Sequence, residues 1–405
     1  MTKRIWIDGQ CFQTASNVRG IGRYVAELLR ALYMRGDAQL VISLNANMTD
    51  EAIAARRFLE NLLPGVEIHV WFGTAADGEG ITGFTPMRQA DERILVDHVN
   101  ALSPDLVLSP SLFEGFHDLS SPLVDTAGLA CPTACIFHDA IPHRFPERYF
   151  HHPDLTAGYY RRLIAVGHFD LILCNSDFTA TELADILDRH DGVSIGAGLA
   201  SAFVDAMAPG VEAEPMEPPL PDRYVLHVGG LDWRKNIPAL ISAMALIPQV
   251  RQGQLALVLA GGGGTSELAA LKAQWAVMGL PPSGLVTASW LSDAQLVACY
   301  RQAAVAVQPS LMEGFGLAAL EAMTIGCPFL TAHGGAAGEV LNNPEQMFDG
   351  QKPEEMASLI ERVLTDAPFR DRVVTMGRAR APLFDWRQSA AITMTAIETL
   401  LGERG

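Results

Sequence analysis

Glu313 and Glu321 stand eight positions apart in PSLMEGFGLAALEAMTIGCP, residues 309–328, with Gly314 and Gly316 between them. The stretch reads as a strand end, a glycine loop and a helix start. A carboxylate in so apolar a run costs free energy unless donors meet it. Taken alone, Glu313 suits a cap at the positive end of the helix that follows, and Glu321 reads as a surface glutamate. Glu321, among Leu320, Ala322 and Met323, wants donors, and ribose hydroxyls are suitable ones. A second stretch, HVGGLDWRKN (227–236), ends a strand in Gly229-Gly230 and puts Arg234-Lys235 at the opening of the next helix. Glycines let backbone approach a ligand, a helix start offers unpaired N–H groups, and Arg and Lys add a fork and a point charge. Two readings stand for it: a phosphate or diphosphate clamp, and a solvated helix start. The formal net charge is −17. An anionic ligand therefore needs local cations that overcome the global field, and a general nucleic-acid binder, which needs a basic face, is disfavoured.

These residues need a scaffold, and the chain of 405 residues exceeds one ordinary core. In the first half, RIWIDG, QLVISLN, EIHVWF, DLVLSPS, PTACIFHDA and DLILCNS read as strands, with helices at RGIGRYVAELLRALYMRG and DLTAGYYRRLIAVGHF. Residues 205–222 are rich in Pro and Glu and read as a linker. Strand–helix alternation then restarts at YVLHVGG and runs on to PEEMASLIERVLTD, and DWRQSAAITMTAIETLLGER reads as a terminal amphipathic helix. Short apolar strands separated by helices imply parallel sheets covered on both faces. The expected fold class is α/β: two Rossmann-like, doubly wound domains, 1–204 and 223–384, facing a cleft, with 385–405 crossing back to the first. The six cysteines read as buried, reduced thiols in a cytosolic protein. The N-terminus has no signal-like region and no apolar run spans a bilayer, so the expectation is a cytoplasmic protein that can still touch the inner membrane.

The Arg-Lys turn followed by the E-x7-E block resembles the retaining GT-B glycosyltransferases of family 4, over nearly the whole chain and most strongly over 224–345. That resemblance implies a nucleotide-sugar donor held by the second domain, with Arg234 and Lys235 neutralising its diphosphate. It implies that Glu313 takes hydroxyls of the transferred sugar, that the backbone of Gly314, Phe315, Gly316 and Leu317 supports sugar and phosphate, and that Glu321 grips the ribose. The base would lie along Thr287 to Leu291, where Trp290 is bulkier than the usual glycine. NVRGIGRYVAELLRAL resembles the family's first glycine loop, with Gly20 and Gly22 joining Gly230 as backbone approaches to the diphosphate. CIFHDAIPHRFP resembles its HD strand end, with His138 or Asp139 reaching the sugar or acceptor. LILCNSDFTATEL starts a helix at Ser176, equally well read as an N-cap. The resemblance to bacterial O-antigen mannosyltransferases makes GDP-mannose the first expected donor, with UDP-glucose or another UDP-hexose next, and a glycan or polyprenyl-linked acceptor.

Three rival readings stand beside this one. A UDP-N-acetylglucosamine 2-epimerase shares the fold but lacks the Arg-Lys plus E-x7-E pairing. A non-catalytic nucleotide-sugar binder would bind without turnover. An NAD-dependent oxidoreductase needs an intact glycine fingerprint, which LAGGGG (259–264) and GAGLAS (196–201) do not supply. No D-x-D occurs, so transfer without a metal or other cofactor is expected. The basic, aromatic stretch 141–163 reads either as a solvated helix with snorkelling arginines or as a surface for a polyprenyl diphosphate or an anionic bilayer.

Overall fold

The computed structural model describes residues 2–18, 20–289 and 291–403. Among the described residues, thirteen strands form two wholly parallel sheets. The first contains β1 (Lys3–Asp8), β2 (Ala38–Asn45), β3 (Glu67–Trp71), β4 (Leu106–Ser109), β5 (Thr133–Phe137), β6 (Leu171–Cys174) and β7 (Val193–Ser194). The second contains β8 (Tyr224–Val228), β9 (Ala256–Ala260), β10 (Leu285–Ala288), β11 (Val305–Gln308), β12 (Phe329–Ala332) and β13 (Met347–Phe348). The central strands β4, β5, β6, β9, β11 and β12 are buried at every position, which is why they are written as unbroken apolar runs.

The sheet orders are β3-β2-β1-β4-β5-β6-β7 and β10-β9-β8-β11-β12-β13. Winding reverses between β1 and β4 in one, and between β8 and β11 in the other. In doubly wound sheets the ligand crevice opens at such a switch point, outside the carboxyl ends of the strands. Gly229 to Lys235 follow β8, and Ser310 to Leu317 follow β11. The two stretches that drew attention in the sequence thus leave adjacent strands at the switch of the second sheet.

Each sheet has its own core. In the second, Leu257, Val305 and Leu330 pack against Leu240, Met244, Trp275 and Ile360 of the covering helices. In the first, Phe137 and Ile172 meet Tyr159 and Leu163 on one side of β5 and β6, while Trp6, Val41 and Val107 meet Leu95 and Val99 elsewhere.

The chain divides into one compact unit of Met1–Ala197 with Trp386–Gly405 and another of Gly198–Asp385. The first unit ends earlier than the residue 204 expected from the sequence. The short helix Ser201–Ala206 belongs to the second unit because its buried Phe203 packs edge-on to Tyr300, ring centroids 6.3 Å apart. The Pro/Glu-rich segment also lies on that unit: Arg301 Nη2 donates to the Met207 carbonyl at 3.0 Å, and Gln295 Nε2 to the Glu214 carbonyl at 3.4 Å. In the first unit the terminal helix Trp386–Glu403 packs on helix Gly20–Arg35, with Trp386 edge-on to Tyr24 at 4.9 Å. Among the described residues no helix is long and apolar enough to cross a membrane. All six cysteines are free thiols, and all but the half-buried Cys131 are buried.

Candidate active site

The second unit assembles its site from two loops. After β8, Gly229 adopts φ +144°, and a Cβ there would stand 3.3 Å from Lys235 Cε. The bare position lets the lysine side chain lie back along the turn. Gly230 follows, and Leu231 N–H donates to the Gly262 carbonyl. The 259–264 glycine run serves this turn: a Cβ on Gly261 would fall 2.0 Å from the Gly229 carbonyl oxygen. Arg234 and Lys235 do not open the next helix, contrary to expectation. They occupy a 3-10 turn, Trp233–Lys235, and Asn236 at φ +53° breaks the chain before helix Ile237–Met244. Asn236 Nδ2 donates to the Pro309 and Gly350 carbonyls at 3.1 and 2.7 Å, and Leu311 N–H donates to the Arg234 carbonyl at 2.8 Å. The cationic turn is therefore clipped to the loop after β11.

That loop delivers Glu313, only 9% exposed, onto both cations. Lys235 Nζ lies 2.6 Å from Oε1, and Arg234 Nη1 lies 3.0 Å from Oε2. Gln308 Nε2 also donates to Oε1 at 2.7 Å. Burial pushes the Glu313 carboxyl up, but the charges of Lys235 and Arg234 outweigh it and bring it down to about 2. Arg234 Nε reaches the more exposed Asp232 at 3.2 Å. The Glu313 backbone is fixed by Gly335 and Ala336, while Gly334 packs on the Leu311 carbonyl. Ala336 N–H donates to the Glu313 carbonyl at 2.9 Å, and Gly335 has φ +78° with no room for a Cβ.

Downstream, Phe315 is buried edge-on against Phe384. Gly316, φ +102°, turns the chain into helix Leu317–Ile325, and a Cβ there would stand 2.8 Å from Ala337 Cα. Glu321 lies on that helix, 8% exposed, and its Oε2 accepts from the buried Tyr300 hydroxyl at 2.9 Å. Tyr300 belongs to helix Asp293–Gln302, which starts with a capping box between Ser292 and Gln295. Leu291 lies half-buried just before that cap, whereas Trp290, expected near the base, lies outside the described residues. Tyr300→Phe strips one charge-assisted donor from a buried carboxylate, a loss of roughly 1–3 kcal/mol. The expected result is a donor KM raised about tenfold with kcat nearly unchanged, read from initial rates across donor concentrations. An unchanged KM would remove Tyr300 from the site.

His227, on β8, is wholly buried. Its Nδ1 lies 3.1 Å from the Val307 carbonyl, which can only accept, so Nδ1 carries the proton. Nε2 has no hydrogen-bond partner among the described residues. Burial, reinforced by Lys235, lowers its pKa to about 4. The unfolded chain takes up a proton near 6.5 that the folded state refuses, so stability is lost as pH falls from 6.5 towards 4. The loss attributable to His227 is roughly 3 kcal/mol across that window. Urea unfolding at pH 7 and 4.5 should show His227→Gln less acid-sensitive than the parent; equal sensitivity would contradict the assignment.

In the first unit, Gly20 opens helix Gly20–Arg35 with nothing within 4 Å of where a Cβ would stand. Gly22 is crowded instead: a Cβ would meet Ser16 O at 2.4 Å and Asn17 Cα at 2.7 Å. The packing of the helix on its own preceding turn accounts for that glycine. His138, just after β5, points Nε2 at the Pro110 carbonyl, 2.8 Å away, and its ring meets Tyr24 edge-on at 5.4 Å. Burial lowers its pKa, so the ring is neutral at pH 7 and its Nδ1 carries a lone pair. Asp139 Oδ1 accepts from Ile141 N–H at 3.0 Å. Ser176 is an N-cap, its hydroxyl accepting from Thr179 N–H at 3.0 Å.

Three of the four arginines of 141–163 meet buried carboxylates. Arg161 and Arg162 both reach Glu79 Oε2, at 2.9 and 3.0 Å, and Arg161 also reaches Glu92 at 2.8 Å. Arg162 is 1% exposed and does not snorkel. Arg144 Nε bridges both oxygens of Glu182 at 3.0 Å.

The structure thus brings Arg234, Lys235 and Glu313 into direct contact, with Gly230, Gly314, Phe315 and Gly316 on the same two loops. Glu321 stands one helix further on, held by Tyr300. Gln308, Asn236, Gly334, Gly335 and Tyr300 were not singled out from the sequence; the Gly334-Gly335 pair directly after a strand was the visible signal. Among the described residues no group of three or more His, Cys, Asp or Glu is arranged to hold a metal. Two convergent cations beside a buried carboxylate suit an anionic group that gains charge as a bond breaks.

Residues 18–193 match the model of Glycosyltransferase Family 4, and residues 212–380 that of Glycosyl transferases group 1. The chain is 29% identical over 410 residues to the serotype-specific mannosyltransferase WbdA of Escherichia coli, covering 98% of this chain and 48% of that protein. It is 26% identical over 271 residues to the O-antigen chain mannosyltransferase B of Escherichia coli, covering 65% of this chain and 69% of that protein. The chain thus spans about half the length of the first of these relatives. Its fold is similar to that of Anabaena Alr3699/HepE, solved with UDP and glucose, at a TM-score of 0.69 and 17% identity over 98% of this chain and 99% of that one. The lipopolysaccharide outer core galactosyltransferase WaaB is similar at a TM-score of 0.67 and 15% identity, over 98% and 99%. With both sheets doubly wound and the two models covering successive halves, the chain belongs to the GT-B glycosyltransferases, a Glycosyltransferase Family 4 domain followed by a group 1 domain.

Proposed function

We propose that the chain is a retaining, metal-independent hexosyltransferase that moves mannose from GDP-mannose to a glycan or polyprenyl-linked acceptor of a bacterial surface polysaccharide. The observation that carries the reading is the buried contact of Arg234 and Lys235 with Glu313 at the switch point of the second sheet. Arg234 and Lys235 stabilise the diphosphate as the glycosidic bond breaks. Glu313 accepts from hydroxyls of the departing sugar, and Glu321, steadied by Tyr300, accepts from the ribose. Backbone at Gly20, Gly22, Gly230 and Gly314 to Leu317 lines the donor. His138 and Asp139 serve the sugar or the acceptor hydroxyl, whose proton passes to the leaving phosphate on the same face of the sugar. The choice of mannose is supported by the similarity to the two Escherichia coli mannosyltransferases. A panel of GDP- and UDP-sugars, scored by thermal shift and by release of nucleoside diphosphate, tests it. GDP-mannose is expected to give the largest shift and the fastest turnover; a UDP-hexose in first place changes the donor, and no response to any member overturns the reading. Loss of turnover on adding a chelator would overturn metal independence.

A further inference from the structure

We infer that Glu313 is also a counter-anion that expels the spent nucleoside diphosphate, by competing for the two cations that hold it. The inference rests on the proposed donor site.

Glu313 is bonded to Lys235 at 2.6 Å and to Arg234 at 3.0 Å. Gln308 and the Gly335 turn hold it there, and it is almost buried. Asp232 draws on Arg234 from the other side at 3.2 Å. Two cations and two carboxylates leave this cluster formally neutral. A diphosphate that reaches Lys235 and Arg234 must share them with a carboxylate already in contact.

The sharing differs between substrate and product. With the intact donor, the sugar beyond the second phosphate offers hydroxyl donors to Glu313, and the diphosphate carries two negative charges. Transfer breaks the bond between the sugar and the phosphate oxygen. That oxygen keeps the electron pair and takes up the acceptor's proton as the new bond forms; the terminal phosphate, whose second ionisation lies at about pH 6, then gives that proton to water. The sugar departs with its hydroxyls. Glu313 then faces the terminal phosphate with no donor between them, and the phosphate carries more charge than before. Like charges in a partly desolvated site repel strongly. The carboxylate therefore weakens product binding selectively and speeds product release, a step that limits turnover in many enzymes.

The inference runs against the usual expectation for a binding residue, because removing its charge tightens a ligand. GDP, UDP and inorganic pyrophosphate are titrated by calorimetry into the parent chain and into Glu313→Gln, which keeps the size but replaces the carboxylate with a neutral amide, one acceptor oxygen and one NH2 donor. For the nucleoside diphosphate that the parent binds, Kd is expected to fall about tenfold in Glu313→Gln, with pyrophosphate moving the same way. The KM for the nucleotide sugar is expected to stay level or rise, because the sugar loses an acceptor. If the parent binds a nucleoside diphosphate and Glu313→Gln binds it equally or more weakly, the expulsion role is overturned and the donor site stands. If neither protein binds any of the three, the donor site itself is overturned and the inference falls with it. Should Glu313→Gln fold poorly, Glu313→Asp serves, since shortening the side chain draws the carboxylate away from Lys235. Product affinity is then expected to rise about threefold, and no rise overturns the role.

Discussion

Lys235→Ala is expected to lower the transfer rate by about 100-fold or more at saturating donor, the usual cost of one preorganised charge at a developing anion. The effect arises on both sides of the reaction coordinate. The side chain is 8% exposed and sits 2.6 Å from Glu313, so it meets its partner without reorganising when charge moves onto the phosphate. Its removal also leaves Glu313 buried with Arg234 as its one remaining cation among the described residues, at 3.0 Å. Breaking a buried pair costs about 3–5 kcal/mol when the survivor is stranded; with Arg234 still in place the lower end is expected. Initial rates and urea unfolding on the same preparation separate the two effects. A folded variant with full activity would show that the diphosphate clamp lies elsewhere.

Gly335→Ala is expected to be as damaging, though no ligand need touch it. A Cβ at residue 335 would fall 2.2 Å from the Glu313 carbonyl oxygen and 2.4 Å from its amide nitrogen, and φ is +78°. Left-handed backbone costs a non-glycine residue roughly 1–2 kcal/mol. Relieving the overlap adds about 1–3 kcal/mol and moves the loop that carries Glu313. A displacement near 1 Å at such a position costs about 100-fold in rate. The thermal midpoint and kcat/KM should therefore fall together. Gly36→Ala gives the contrast: its φ is +72° but nothing lies within 4 Å of the added methyl, so stability should drop and activity should not.

The parallel sheets were legible because fully buried strands must be written as apolar runs, as in Ala256–Ala260 and Val305–Gln308. Helix Pro86–Ala101 was not, because the first half of its buried face carries Arg88, Asp91 and Glu92, and only the second half, Leu95, Val96 and Val99, is apolar. Those side chains are satisfied across the fold: Arg88 Nε donates to the Asp77 carbonyl at 2.8 Å, and Glu92 pairs with Arg161. The same cluster explains why the arginines of 141–163 looked like a surface. Sequence spacing shows charges but not the carboxylates that meet them from 80 residues away. In the site, Glu313 and the Arg-Lys pair stood out by residue type. Their mutual contact did not, since it spans two strands of the sheet. Asn236 was missed for the opposite reason: its left-handed backbone makes it a break where the sequence reads as a continuous helix start.

The terminal helix has a bearing on how the protein is made. Trp386–Glu403 packs on Gly20–Arg35, and Trp386 covers Tyr24, whose ring in turn meets His138. The first unit is therefore built from residues synthesised before the second unit and from residues synthesised after it. During synthesis the Tyr24 face waits uncovered while Gly198–Asp385 is built and folds. Closing so long a loop adds little to the entropy cost, which grows only with the logarithm of length, but it sets the order of events. The Tyr24 face beside His138 can be covered only after Trp386 has emerged.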